Sequence, residues 1–428
     1  MRITIVTAGS RGDVQPYVAL GLALRRAGHD VTVATHETFR AFVTGRGLEF
    51  AAIAGDPRAI LATRAADRWL GSGRVRDMLP AAREFLGGVR PLIDALLADF
   101  WRVCQGADVI VYSIVAGACT HVAESLGVPA IGAFLQPMHR TCEFPVLGMP
   151  SAVQFGGRFN AATWAFSHQL FWVPFGGQIN AWRRTTLGLA PISRTTHWPW
   201  HVPTVYGYSP RVMPRPADWP AGVDVTSYWT LAPDSGWAPP PALAAFLTAG
   251  PPPVSIGFGS MTPRTAERWT AMAVDALDRA GQRGILLGGW GALGAGTLPP
   301  TVMAVNDVPH EWLFPRMAAV VHHGGAGTTG AALRGGSPSI VVPFSFDQPF
   351  WAARVAALGV GPRPISRRRL TAAGLTAAIT EAVADHAIRE RAATLGAALR
   401  AEDGLGMAVE AIERAAGRGR VSPRRALA

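Results

Sequence analysis

The chain has 428 residues and a formal net charge of +11, from 40 basic and 29 acidic side chains, with 49% apolar residues. Apart from histidine every basic residue is arginine, and the absence of lysine excludes Schiff-base chemistry, phosphate loops of the G-x-x-x-x-G-K-[ST] type and the strand lysine of kinases. The deficit matches a GC-rich coding bias, as do the many alanines, glycines and prolines, so it filters chemistry without pointing to any.

The length predicts two or three domains. Cys104, Cys119 and Cys142 have no metal-ligand spacing and cannot all pair, which suits a reducing compartment. With no signal-peptide pattern and no run of about 18 apolar residues, the expectation is a soluble, cytoplasmic protein.

In chain order, residues 2–8 read as a strand, 9–13 as a polar glycine-rich turn, 14–27 as a helix ending at Gly28, and 31–35 as a second strand. The scheme returns as strand 109–113, helix 117–126 and strand 129–134. Aromatic-rich residues 134–200 read as loop-like, and 197–241 as irregular Pro/Trp-rich sequence ending in Pro239-Pro240-Pro241. Alternation resumes with strand 254–258, helix 265–280, strands 284–288, 319–323 and 339–343, and helices 348–358, 371–384 and 386–400. Strands alternating with helices imply parallel βαβ units, hence an α/β fold of two doubly wound domains. The expected division is 1–235, a linker at 236–250, and 251–413.

Residues 414–428 contain Arg414, Arg418, Arg420, Arg424 and Arg425 and no acid, and without them the net charge drops from +11 to +6. This segment is expected to be a disordered basic tail. It offers no aromatic side chain for bases to stack on, so no nucleic-acid partner is expected, and at most transient contact with an anionic membrane.

In doubly wound sheets ligands bind beyond the carboxyl ends of the strands. The first such loop is Gly9-Ser10-Arg11-Gly12-Asp13-Val14-Gln15-Pro16, which lacks the G-x-G-x-x-G dinucleotide fingerprint. Asp13 stands just before a helix, either as its cap, which this loop alone favours, or as a general base. Glu37, near the end of the second strand, keeps a dehydrogenase reading open.

In the second half, Gly257-Phe258-Gly259-Ser260 offers backbone N–H groups and a hydroxyl to phosphate oxygens. Val320-Val321-His322-His323-Gly324-Gly325-Ala326-Gly327-Thr328-Thr329 is the stronger signal. A strand delivers two histidines, and small residues then open a helix whose unpaired N–H groups suit a diphosphate. Asp347 and Gln348 precede a further helix, and their acceptor and donor groups suit adjacent sugar hydroxyls.

Together these motifs resemble the inverting nucleotide-sugar glycosyltransferases of family 1, in the branch of bacterial and fungal sterol glucosyltransferases and antibiotic glycosyltransferases. The resemblance, extended by Val308-Pro309-His310, covers nearly the whole chain. It implies a GT-B fold, two Rossmann-like domains facing across a cleft, with acceptor on the first and donor on the second. It assigns the catalytic base to Asp13, overriding the cap. It assigns donor binding to Ser260, Val308, His322, Gly324, Gly325, Gly327, Thr328, Asp347 and Gln348. Three departures stand out. Asp307 lies where plant members stack a tryptophan on uracil, Gly330 lies where they place a ribose-binding glutamate, and the first loop lacks their catalytic histidine.

The implied reaction moves a hexose, glucose first, from a nucleotide diphosphate sugar, UDP ahead of dTDP, to a lipophilic hydroxyl compound such as a sterol, polyketide or macrolide. Ser10, Phe134, Phe144 and Trp172 are the expected acceptor-binding residues. No Asp-x-Asp motif occurs, so no metal and no cofactor is expected, and the protein is expected to be a monomer or weak dimer. The alternatives are a catalytically silent glycosyltransferase-like partner protein and an NAD(P)-dependent dehydrogenase.

Overall fold

The computed structural model describes residues 1–56, 75–149, 156–193, 202–234, 236–259, 266–289, 293–294 and 296–418. The first sheet takes β1 (Arg2–Val6), β2 (Asp30–His36), β3 (Glu49–Ile53), β4 (Val109–Tyr112), β5 (Ala130–Phe134), β6 (Thr204–Tyr206) and β7 (Val223–Val225). All pair in parallel, in the order β3-β2-β1-β4-β5-β6-β7. Between them run α1 (Arg11–Arg26), α2 (Arg40–Thr44), α3 (Val75–Val103), α4 (Cys119–Leu126) and α5 (Gly157–Thr185).

The second sheet takes β8 (Val254–Gly257), β9 (Gly284–Leu287), β10 (Val302–Val305), β11 (Ala319–His322) and β12 (Ser339–Val341), parallel in the order β10-β9-β8-β11-β12. Its helices are α6 (Pro241–Thr248), α7 (Ala266–Arg279), α8 (His310–Leu313), α9 (Ala326–Gly335), α10 (Gln348–Leu358), α11 (Ala372–Ala384) and α12 (His386–Arg400). A last helix, α13 (Gly404–Arg418), follows.

Each sheet reverses its strand order once, between β1 and β4 and between β8 and β11. Those switch points open the crevices where doubly wound sheets hold ligands. The strands are short apolar runs because both sheet faces are covered. Ile3 and Ile5 face Val14, Val18 and Leu20 of α1, whereas Val6 and Ala34 face Leu96 and Phe100 of α3.

Several expectations need correction. The expected linker at 236–250 contains α6, whose Leu243 is buried with Ile285 and Leu313 of the second domain. The expected loops of 134–200 contain the 29-residue helix α5, which carries Pro174 inside it. Glycines and a proline obscured its periodicity, while its packing against α3 supplies the missing preference. Short β6 and β7 lie within the segment read as irregular.

The expected tail begins too early. Residues 414–418 complete α13, in which Ala408, Ala411, Ile412 and Ala415 are buried against the first domain's α1 core. Arg414 pairs with Asp224 of β7 at 3.0 Å. Exposed Glu410, Glu413 and Arg414 on its outer face hid an apolar stripe at helical spacing. The chain therefore ends its second domain at α12 and returns to the first, so 251–413 is not one unit. Residues 419–428 lie outside the described residues. No described helix is long and apolar enough to cross a membrane.

Candidate active site

The loop after β1 folds back on itself through local bonds. Gly9 has φ +134°, and a Cβ there would sit 2.5 Å from Asp13 Oδ2, so only glycine fits. The Gly9 N–H donates to His36 Nε2 at 3.1 Å, while His36 Nδ1 donates to the Ala54 carbonyl at 3.1 Å. The Ser10 N–H and hydroxyl both donate to Asp13 Oδ2, at 2.8 and 2.9 Å.

Asp13 thus ties down the first turn of α1 and still opens its carboxylate to the cleft; cap and base are compatible roles. The surrounding protein starves it of bulk water and raises its pKa above the usual aspartate value, a rise the two Ser10 bonds oppose.

On the opposite wall β11 ends in His322, which is 1% exposed. The Gly324 N–H donates to His322 Nδ1 at 3.1 Å, which puts the ring proton on Nε2. That Nε2 is buried and has no partner among the described residues. Burial, with His323 and His310 nearby, pushes the His322 pKa down to about 3, so the ring is neutral and presents an N–H.

α9 starts three residues beyond His323 and directs its first N–H groups into the same space. Gly325, Gly327 and Thr328 line it, as do Val308, Asp347 and Gln348. Gln348 Oε1 accepts from the Phe344 and Ser345 N–H groups at 2.8 and 3.2 Å, leaving its amide NH₂ for the cavity. Asp347 Oδ2 accepts from Trp351 Nε1 at 2.9 Å, and burial raises its pKa to about 6.

The two walls bound one cavity of about 1780 Å³. On the first domain it continues from Ser10 and Asp13 into an apolar chamber that includes Leu96, Phe100, Phe134, Trp164 and Trp172. Two expected residues lie elsewhere. Phe144 is not among the lining residues; its ring packs between Trp164 and Phe350, with centroids 6.1 and 5.2 Å away. Gly324 does not line the cavity either, and its N–H donates to His322. Ser260 lies outside the described residues.

Both unusual positions have a physical occupant. Asp307 pairs with Arg11 across the cleft at 2.6 Å. At Gly330 a Cβ would meet the Tyr228 ring at 2.5 Å, so the first domain's tyrosine fills the place a longer side chain would need. Glu37, the residue behind the dehydrogenase reading, is paired with Arg40 and does not line the cavity.

Sequence reasoning missed His36, Arg11 and Tyr228. His36 ends a strand at the carboxyl edge, a position that could have drawn attention. The partners of Arg11 and Tyr228 are hundreds or about a hundred residues away, and no local pattern announces them.

An unpaired neutral histidine N–H and a helix N-terminus facing a carboxylate across two Rossmann-like sheets define an enzyme-like cleft for an anionic ligand and an apolar one. Comparisons with known proteins agree. Residues 3–145 match the glycosyltransferase family 28 N-terminal domain, and residues 291–404 the C-terminal domain of erythromycin biosynthesis protein CIII-like proteins.

The sterol 3-beta-glucosyltransferase of Emericella nidulans is 38% identical over 426 residues, covering 97% of this chain and 30% of the relative. That of Yarrowia lipolytica is 39% identical over 430 residues, covering 97% and 29%. The chain thus spans about 30% of the length of the curated relatives it matches. The solved glycotransferase of kitacinnamycin superposes with a TM-score of 0.69 at 23% identity, over 97% of this chain and 99% of that one. The glycosyltransferase VinC in complex with dTDP gives 0.68 at 22%, over 98% and 100%. The chain therefore has the GT-B fold and carries two glycosyltransferase-type domains, one matching each of the two family models.

Proposed function

We propose that the protein is an inverting hexosyltransferase that moves glucose from a nucleotide diphosphate sugar, UDP ahead of dTDP, to the hydroxyl of a lipophilic small molecule, with a sterol as the first candidate. The observation that carries this reading is the single cavity shared by Asp13, the unpartnered Nε2–H of His322 and the apolar chamber. The 38% identity to sterol 3-beta-glucosyltransferases supports the sugar and the acceptor class.

In this reading the acceptor lies in the apolar chamber with its hydroxyl at Asp13. The carboxylate takes the hydroxyl proton as the oxygen attacks the anomeric carbon, and the bond to the nucleotide diphosphate breaks on the opposite face, inverting the configuration. Positioned base help of this kind is worth roughly 10²–10⁴-fold. The negative charge that develops on the leaving diphosphate meets the His322 N–H and the N-terminus of α9. Asp347 and the Gln348 amide face the sugar hydroxyls. Recognition of the diphosphate rests on these neutral and dipolar groups, so the reaction proceeds without a metal or cofactor.

The test is mass spectrometry of the protein with UDP-glucose and dTDP-glucose against a panel of sterols and polyketide aglycones, with and without EDTA. A product heavier by one hexose, formed equally with EDTA, supports the reading. Loss of activity with EDTA and its return with manganese would overturn metal independence. Absence of any hexosylated product together with absence of nucleotide binding would favour a silent partner protein.

A further inference from the structure

The apolar chamber holds a polar arrangement that glycosyl transfer, as proposed above, does not use. His121 on α4 lines the cavity and is 9% exposed. Behind it Arg183 of α5 is 2% exposed, its guanidinium forked onto Glu124 at 2.6 and 3.1 Å. Arg183 Nε donates to the Ala190 carbonyl at 2.8 Å, and Nη1 also reaches His121 Nδ1 at 2.9 Å.

A guanidinium has donors only, so Nδ1 must accept and the imidazole proton must sit on Nε2. Burial and the Arg183 charge push the His121 pKa down to about 4, which keeps the ring neutral. Its Nε2–H has no partner among the described residues. A histidine serving only to complete the bonding of Arg183 would need Nδ1 alone. It would then leave an oriented N–H on the wall of an apolar chamber, where a ligand that displaces water must supply an acceptor or leave the donor unmet at a cost.

We propose that His121 Nε2 donates a hydrogen bond to a second, neutral oxygen of the acceptor, a ketone, ester or hydroxyl remote from the hydroxyl that receives the sugar. The Arg183 charge is matched by Glu124, so the site offers a neutral donor and no spare cation for a carboxylate. The favoured acceptor is then an oxygenated polycycle, such as a keto-steroid or a polyketide, ahead of a sterol whose far end is plain hydrocarbon. The proposal rests on reading the chamber as the acceptor site.

The experiment uses a matched pair: a hydroxyandrostene with its hydroxyl on ring A, and the same steroid with a ketone on ring D. Each is titrated into wild type, His121→Leu and His121→Gln by tryptophan fluorescence, and turnover with UDP-glucose is measured in parallel. Wild type is expected to bind the ketone roughly tenfold more tightly, the value of one net hydrogen bond. His121→Leu should erase that preference while binding the ketone-free steroid within about twofold of wild type, as one uncharged bond lost predicts. His121→Gln, which keeps a donor, should retain part of it. Equal binding of the pair by wild type, binding of neither, or equal weakening of both by His121→Leu overturns the proposal. An intact binding preference without turnover would count against glycosyl transfer and leave the subsite standing.

Discussion

The backbone N–H of Gly9 and the Nε2 of His36 lie 3.1 Å apart, joining the turn after β1 to the end of β2. His36 is 3% exposed and spends its other nitrogen on Ala54. The bond fixes the Ala8–Gly9 peptide, one residue ahead of Ser10, and Ser10 in turn holds the Asp13 carboxylate.

His36 is therefore a positioning residue. His36→Leu removes the acceptor for Gly9 and frees the Ser10 N–H from Asp13. Because the Ser10 bonds lower the Asp13 pKa, their loss moves the acid limb of kcat/KM to higher pH and reduces kcat with little change in donor KM. His36→Gln, whose amide oxygen reaches the place of Nε2, should restore both. A His36→Leu enzyme with an unmoved acid limb would show that the loop holds itself.

Asp13 must be ionised to accept a proton, and the surrounding cleft, by keeping bulk water from the carboxylate, raises its pKa above the ordinary aspartate value. Activity should therefore fall as pH drops through that raised value, at a higher pH than an exposed aspartate would dictate. Asp13→Asn should keep nucleotide binding and lose at least roughly a hundredfold in kcat. Calorimetric titration beside steady-state rates checks both halves, and a near-normal rate would refute the assignment.

The neutrality of His322 also has a measurable signature. With its pKa near 3, the donor N–H persists throughout the ordinary range. In an Asp347→Asn background, which removes the carboxylate that titrates near 6, affinity for UDP-glucose should be flat from pH 5 to 8, without the weakening above about 6.5 that a cationic histidine would give. His322→Ala should weaken it by about 1.5–3 kcal/mol, roughly ten- to a hundredfold, as expected for a bond to a charged acceptor. A clear titration between pH 6 and 7 would argue for an imidazolium.

Arg11 and Asp307 meet at 2.6 Å across the cleft, with side chains 47% and 76% exposed. An exposed pair of this kind contributes about 0.2–1 kcal/mol, so its role is to favour apposition of the two walls. Arg11→Asp places two carboxylates face to face and should lower kcat/KM about two- to fivefold, with a larger radius of gyration in small-angle scattering. Exchanging both charges, Arg11→Asp with Asp307→Arg, should recover most of the loss. A double variant no better than the single one would deny the contact a role.

Much of the site was legible because it is local. Strand, small-residue turn and helix follow one another within about a dozen residues around Asp13 and around His322. A doubly wound sheet delivers such turns to one edge, so two sequence segments announced both walls. β3, β6, β7 and β10 were missed because three to five residues of apolar sequence carry little periodicity until neighbouring strands pair with them.

Sequence alone determined which residue types stand at the carboxyl ends of β1 and β11, since backbone geometry within one βα unit dictates their exposure. Tertiary structure decided the rest. It brought α13 back onto α1, turned Phe144 out of the cavity, set the tautomer of His121, and joined Arg11 to Asp307. Those outcomes depend on groups distant in the chain, and burial and partner choice exist only once the two sheets have formed and faced each other.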